Sequence, residues 1–358
     1  MSNRSMLFIG IFAVLTASLA AQAQRAPAKP YSPPRMPDGH PNLQGIYDLA
    51  TLTPMERPAG MKAVLTDEEA AKMERDVAKQ NELRGQPVSA ERIAPPKGGD
   101  GSTGPAGGVG GYNNFWLDAG SSYTVVNGEK RTSIVVDPSD GRVPPLMPAA
   151  RQRIAERILR PTSDTTESRD PGLEPPGSYD DPERRPLGER CLLGFGSTSG
   201  PPALPDYFYN NLHQIVQTKD YVMILTEMVH DARIIRMNAD HLPKTIRKWM
   251  GDSVGHWEGD TLVVDTSNFT DKTRFRGATE DMHVVERFTR VAPNALLYRF
   301  TVEDPATWSR PWTGEYTWPA TDKPIYEYAC HENNYALENI LRGARRREAD
   351  EAAKKTKQ

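Results

Sequence analysis

From Leu212 to Cys330 the chain is written in short runs rich in Val, Ile, Leu, Tyr and Thr, each closed by turn residues. This texture constrains the fold more than any other feature. The runs are Leu212–Thr218, Tyr221–Val229, Ala232–Met237, Ile246–Met250, Gly255–Glu258, Thr261–Thr266, His283–Val291, Ala295–Val302, Thr313–Trp318 and Ile325–Cys330. Lys219-Asp220, Glu258-Gly259-Asp260 and Ala292-Pro293-Asn294 are hairpin breaks between them. No helical pattern of ~12 residues alternates with these runs, so a parallel α/β sheet is disfavoured. The expectation is a mainly β fold: an antiparallel meander closing into a calycin-like barrel, which removes exposed edges. A two-sheet β-sandwich is the alternative.

The rest of the chain divides around that domain. Residues 1–23 read as a signal peptide. Arg4 supplies the charged region, Met6–Ala20 the apolar region, and Ala21-Gln22-Ala23 the small residues of a cleavage site after Ala23. The apolar run falls short of the ~20 residues a membrane span needs, so the mature chain is expected to be soluble and periplasmic or secreted. Residues 24–63 form a Pro-rich extended leader. Residues 64–190 carry a helix, a Gly-rich loop, a hairpin and a short helix that pack on the main domain. The β-domain proper covers 191–333, and 334–358 is a C-terminal helix or tail. Within these limits, Thr66-Asp67-Glu68-Glu69 is a capping box opening a helix to about Leu83. Asn127-Gly128 is a tight-turn signal joining Ser122–Val126 to Arg131–Val136, and Pro148–Leu159 is a short helix. Pro95–Gly111 is Gly-rich, but no strand precedes it and no helix follows, so it reads as a loop and not a phosphate cradle.

Charge excludes some partners. Lys plus Arg total 44 and Asp plus Glu total 47, for a net charge of -3. The one dense basic stretch, Arg342–Lys357, interleaves acids at helical spacing and reads as a solvated helix, so no nucleic-acid partner is expected. No later segment is apolar enough to span a bilayer. A small-molecule ligand or substrate remains as the expected partner, and nothing in the sequence speaks to oligomeric state. The two cysteines, Cys191 and Cys330, are spaced for no metal motif. In an oxidising compartment they form either one long-range disulfide, the favoured expectation, or two buried thiols.

Six phrases carry a family resemblance: Met36-Pro37-Asp38-Gly39, Leu52–Pro58 (LTPMERP), Arg131–Pro138 (RTSIVVDP), Glu189-Arg190-Cys191-Leu192, Trp249–Gly277 and Tyr326–Tyr335 (YEYACHENNY). Together they resemble an uncharacterised family of exported proteins of soil bacteria such as acidobacteria and sphingomonads. The resemblance implies export and a shared fold, and it brings no catalytic residues with it. The His-Trp-Glu-Gly-Asp hairpin also resembles the strand pairs of calycin-type barrels.

Candidate chemistry centres on histidine. Of the seven histidines, His213, His230, His283 and His331 fall on or beside expected strands. Glu227 and Asp231 flank His230, Glu286 lies near His283, and Glu332 follows His331. In a closed barrel, strands distant in sequence can aim side chains into one lumen. His230, His283 and His331 are therefore the candidate catalytic residues, with Glu227, Asp231 and Glu332. The same three histidines could bind a divalent metal (Zn, Fe or Mn). Without a metal, a histidine would act as general base with an acid orienting it. The reaction class these groups suit is hydrolysis or elimination on a small carbohydrate-like or aromatic metabolite. A non-catalytic carrier with a calycin-like cavity and an envelope interaction protein are the rival readings. Gly196–Gly200 brackets its serines at the wrong offset for a nucleophile elbow. The aromatics Trp249, Trp257, Trp308, Trp312 and Trp318, with Tyr207, Tyr209, Tyr316, Tyr326 and Tyr328, suit either a pocket for sugars or aromatic metabolites or the core of a twisted sheet, and most of them read as core. Arg274 and Arg276 could hold an anion or pair with Asp271 and Glu280.

Overall fold

The computed structural model describes residues 31–84, 118–159, 177–194, 200–205, 209–272, 275–332 and 334–356. The expected signal peptide, the Gly-rich loop, the serines of Gly196–Gly200 and Arg274 lie outside them. Contacts divide the chain after Ser32, and the architecture below is that of the unit beginning at Pro33.

Nine strands close into a mixed β-barrel, and a tenth attaches to its rim. The staves are β1 (Gly45–Asp48), β6 (Leu212–Gln217), β7 (Tyr221–Thr226), β8 (Ala232–Met237), β9 (Asp252–Glu258), β10 (Thr261–Ser267), β11 (His283–Ala292), β12 (Ala295–Glu303) and β13 (Trp312–Thr321). The mainly β class and the barrel expected from the strand texture are therefore present. Closure comes from β1, which pairs with β6 on one side and with β13 on the other. That stave comes from the segment read as a leader. The first half of β13 uses the same edge to pair with β5 (Val135–Asp137).

Three local expectations differ from the structure. Neighbouring staves are antiparallel except β8 and β9, which run parallel. Parallel neighbours need a crossover, and residues 238–251 provide it. The run Ile246–Met250 lies in that crossover as turns with one isolated bridge, Lys248 to Phe269, and is not a strand. Ile325–Cys330 is not a strand either. Its neighbour β13 is already paired to β12, β1 and β5, so a closed barrel leaves it no edge to join.

Short-range signals translate directly. Asn127 and Gly128 take φ of 53° and 80°, the left-handed pair that a type I′ turn requires. They join β3 (Val125–Val126) to β4 (Glu129–Arg131), so the second arm of the hairpin is not the expected Arg131–Val136, whose last residues enter β5; β2 (Val64–Leu65) completes a small sheet in the order β2-β4-β3. The Thr66 amide donates to Glu69 at 2.8 Å and the Glu69 amide to the Thr66 hydroxyl at 3.2 Å. This is the capping box that opens α1 (Asp67–Arg84). Helix α2 spans Pro148–Leu159 and α3 spans Tyr335–Lys355. Asn334 caps α3 by accepting from the Leu337 amide.

The barrel interior is aromatic. Trp312, Trp318, Tyr298, Tyr316, Phe288 and Phe300 are all fully buried there, with rings in tilted and edge-on contact. Burial of such rings is the largest hydrophobic contribution a sheet interior can make. Trp308 is buried as well, and Trp257 packs against the same core, so the aromatics read as core are mostly core. Among the described residues, no helix is long and apolar enough to cross a membrane.

Candidate functional site

Strand alternation decides which candidate residues look inward. Along β11, Val284, Glu286 and Phe288 are buried, while His283, Val285 and Arg287 sit on the other, partly open face. His283 therefore lies outside the barrel. Its Nε2 meets Asp265 Oδ2 at 2.9 Å, and the other oxygen of Asp265 meets His241 Nε2 at 2.9 Å. His241 Nδ1 in turn reaches Asp252 at 3.2 Å. The hydrogen bond His283 donates to Asp265 raises the His283 pKa above its ordinary value, against partial burial. Burial pushes Asp265 up, but hydrogen bonds from both histidines bring it below the usual carboxylate range. This His–Asp–His chain pins the β8–β9 crossover onto β10 and β11.

What does face the interior is an ion pair. Arg233 of β8 grips Glu286 with both guanidinium nitrogens, and the Tyr298 hydroxyl donates to Glu286 at 2.7 Å. All three are buried. Burial would lower the Arg233 pKa, yet Glu286 holds it above normal. Tyr298 is driven well up by burial and by the Glu286 charge. Glu286, near His283 in sequence but on the opposite face of β11, thus serves Arg233. His213 also points inward and is 2% exposed.

Three of the remaining candidates, Glu227, His230 and Glu332, gather at one mouth of the barrel. Strand β7 ends at Thr226, and Glu227, Met228, Val229 and His230 turn the chain back into β8. Val229 sits at φ 59°, ψ 15° and His230 at φ 47°. A buried β-branched residue in the left-handed region is an outlier, and such strain concentrates at functional sites. Over this turn passes the extended segment 322–329. Glu227, 4% exposed, accepts from the Tyr326 amide at 2.8 Å, and His230 Nδ1 meets the Tyr328 carbonyl at 3.1 Å. The Cys191–Cys330 disulfide anchors the end of this segment, with Cα atoms 5.7 Å apart. The expected pairing is therefore formed. Asn334 adds a bond to the Glu189 carbonyl at 2.7 Å.

Two adjoining cavities lie beneath and beside the segment. The larger, about 880 Å³, is lined by residues that include Asp48, Asp118, Tyr209, Asn211, Glu227 and Lys323, with Leu337 and Ile340 of α3. The smaller, about 420 Å³, is lined by residues that include Glu227, His230, Tyr326, Tyr328 and Glu332. Both fall in the range of small-molecule sites. Lys323 binds Asp48 at 2.9 Å, with Asp118 at 3.9 Å. These contacts raise its pKa despite some desolvation.

Glu227, His230 and Glu332 thus share a cavity, as the sequence suggested. Asp231 turns aside to accept from the Gly194 amide at 3.4 Å. His331 is exposed in the turn after Cys330. It does not look inward from a strand, because no strand forms there, and neither it nor His283 appears among the lining residues. Among the described residues, no group of three or more His, Cys, Asp or Glu is arranged to hold a metal ion. Arg276 pairs with Glu56 at 3.1 Å, not with Asp271 or Glu280. Sequence reasoning missed Asp48, Asp118 and Lys323. They come from the end of β1, a loop and the connection after β13, and no local pattern links them. Comparison with protein-family models, curated proteins and solved structures gave no match.

Proposed function

We propose that the protein is an exported acid–base enzyme, a hydrolase or lyase, acting on a small ring-bearing molecule in the mouth cavities. The observation that carries this reading is the setting of His230. In a neutral imidazole, the contact of Nδ1 with the Tyr328 carbonyl places the proton on Nδ1 and leaves a lone pair on Nε2. His230 lines a cavity with Glu227 and Glu332. Nε2 can take a proton from water or from a carbon acid. The strained turn at Val229 and His230 supports a site whose geometry is held by its surroundings. Tyr209, Tyr326 and Tyr328 offer ring faces to a sugar or aromatic group. Export is supported by the order of charged, apolar and small residues in 1–23 and by a disulfide suited to an oxidising compartment.

The test is turnover of a panel of aryl esters, lactones and glycosides by purified protein, followed by His230→Gln. Loss of a positioned general base should lower kcat by about 100-fold or more, with ligand binding retained. A variant that turns over substrate at the parent rate would refute the role of His230. Ligands that bind both proteins equally and are never consumed would favour a carrier.

A further inference from the structure

The charges around the two cavities are unbalanced. Glu227 is 4% exposed and lines both cavities. Its Oε1 accepts the Tyr326 amide, and no cationic side chain among the described residues lies within ion-pairing distance of it. A carboxylate taken out of water without a countercharge is costly. Asp48, Asp118, Glu327 and Glu332 add further acids to the lining, besides Glu189, which Arg185 neutralises. Lys323 is the one Lys or Arg among the described lining residues, and Asp48 and Asp118 already hold it. At the rim, Tyr326 is 69% exposed, an aromatic face left open beside the acids.

We infer that the ligand is an organic cation, a primary to quaternary amine, whose charge rests against Glu227 and whose apolar body lies along Tyr326 and the α3 side chains Leu337 and Ile340. This inference rests on the reading of the cavities as a ligand site and adds the charge of the ligand to it. A buried carboxylate supplies the countercharge, and a tyrosine face adds cation–π attraction. An anionic ligand would meet Glu227, Glu327 and Glu332, none of them in an ion pair among the described residues, and two further acids that share Lys323. A neutral one would leave Glu227 with only the Tyr326 amide and the more distant charge of Lys323.

The experiment uses matched probes in saturation-transfer NMR and calorimetric titration: benzyltrimethylammonium, its neutral isostere neopentylbenzene, and phenylacetate. The cation should bind about tenfold more tightly than the neutral probe, and phenylacetate least. Glu227→Gln keeps an acceptor for the Tyr326 amide and should erase the preference for the cation while the neutral probe still binds. Tyr326→Ala, at an exposed position that leaves the fold intact, should weaken the cation more than the neutral probe. Equal binding of cation and neutral probe, weakened equally by Tyr326→Ala, would overturn the inference and leave the ligand site standing. Tighter binding of phenylacetate would overturn it too. Absence of binding by all three probes would overturn both readings.

Discussion

His213 and His283 are two histidines on barrel staves whose surroundings push them in opposite directions. His213 is buried, and desolvation lowers its pKa to about 4, with the Arg233 charge adding to the effect. In the unfolded chain it titrates near 6.5. The unfolded state therefore binds the extra proton between those values, and stability falls as pH drops through this window. Relative to His213→Gln, the wild-type protein should lose roughly 3 kcal/mol more between pH 7 and pH 4, as read by urea unfolding at each pH. Parallel losses in the two proteins would mean that His213 is not buried neutral. His283 has the opposite sign. Its native pKa is raised by Asp265, so its contribution is complete below about 6.5 and fades as pH climbs through the native value. His283→Asn should therefore cost more at pH 6 than at pH 9, by the same unfolding measurement. The Arg233–Glu286 pair gives a third test at this scale. Arg233→Met strands a buried carboxylate and should destabilise by about 3–5 kcal/mol, whereas Arg233→Met with Glu286→Leu should recover most of that loss. A double variant as unstable as the single one would show that the pair matters for shape and not for charge.

Among the elements, those with local rules were legible before any tertiary information. The Asn-Gly turn and the Thr66–Glu69 box each satisfy backbone groups within a few residues, so their residues alone decide them. Thr66→Ala should cost about 1 kcal/mol, seen as a lower thermal midpoint. β13 obeys a rule that cannot be read locally. Gly314 lies directly across from Phe300, and a Cβ placed there would come within 2.2 Å of the Phe300 ring. Gly314→Ala should therefore destabilise by about 1–3 kcal/mol through overpacking, and Phe300→Leu should relieve part of it. Nothing in the run Thr313–Trp318 marks that glycine as a seat for a ring. The run Ile325–Cys330, within and just beyond the segment 322–329, is the clearest misreading. Its Tyr and Ile content has strand character, yet pairing needs a free edge and the closed barrel offers none. It becomes a strap over the mouth, held by backbone bonds to Glu227 and His230.

For the whole molecule, the Cys191–Cys330 disulfide closes a loop spanning 139 positions, which contains every stave from β6 to β13. The chain-entropy account assigns about 4–5 kcal/mol to such a closure. Cys191→Ser with Cys330→Ser should lower the denaturant midpoint accordingly, and reducing agent should destabilise the wild-type protein but not the double variant. Both half-cystines line the larger cavity, so the same bond that limits the unfolded chain also sets the strap above that cavity.

By itself the sequence determined the parts governed by neighbours along the chain: strand texture, turns, caps, helices and the residues available for acid–base chemistry. Alternation in strands follows from backbone geometry, so a β-domain with an aromatic core was readable. The pairing of the two cysteines was readable only as a preference, because an oxidising compartment permits a bond without choosing it. Tertiary structure alone decided three things. It brought β1 from the leader to close the barrel, because a sheet edge accepts whichever strand satisfies its hydrogen bonds. It turned His283 outward and Glu286 inward, because the face of a strand depends on register and one residue of slip reverses it. It set His230, Glu227, Asp48 and Lys323 around one mouth, because groups from the end of one stave and the turns beyond two others meet only after the barrel has closed.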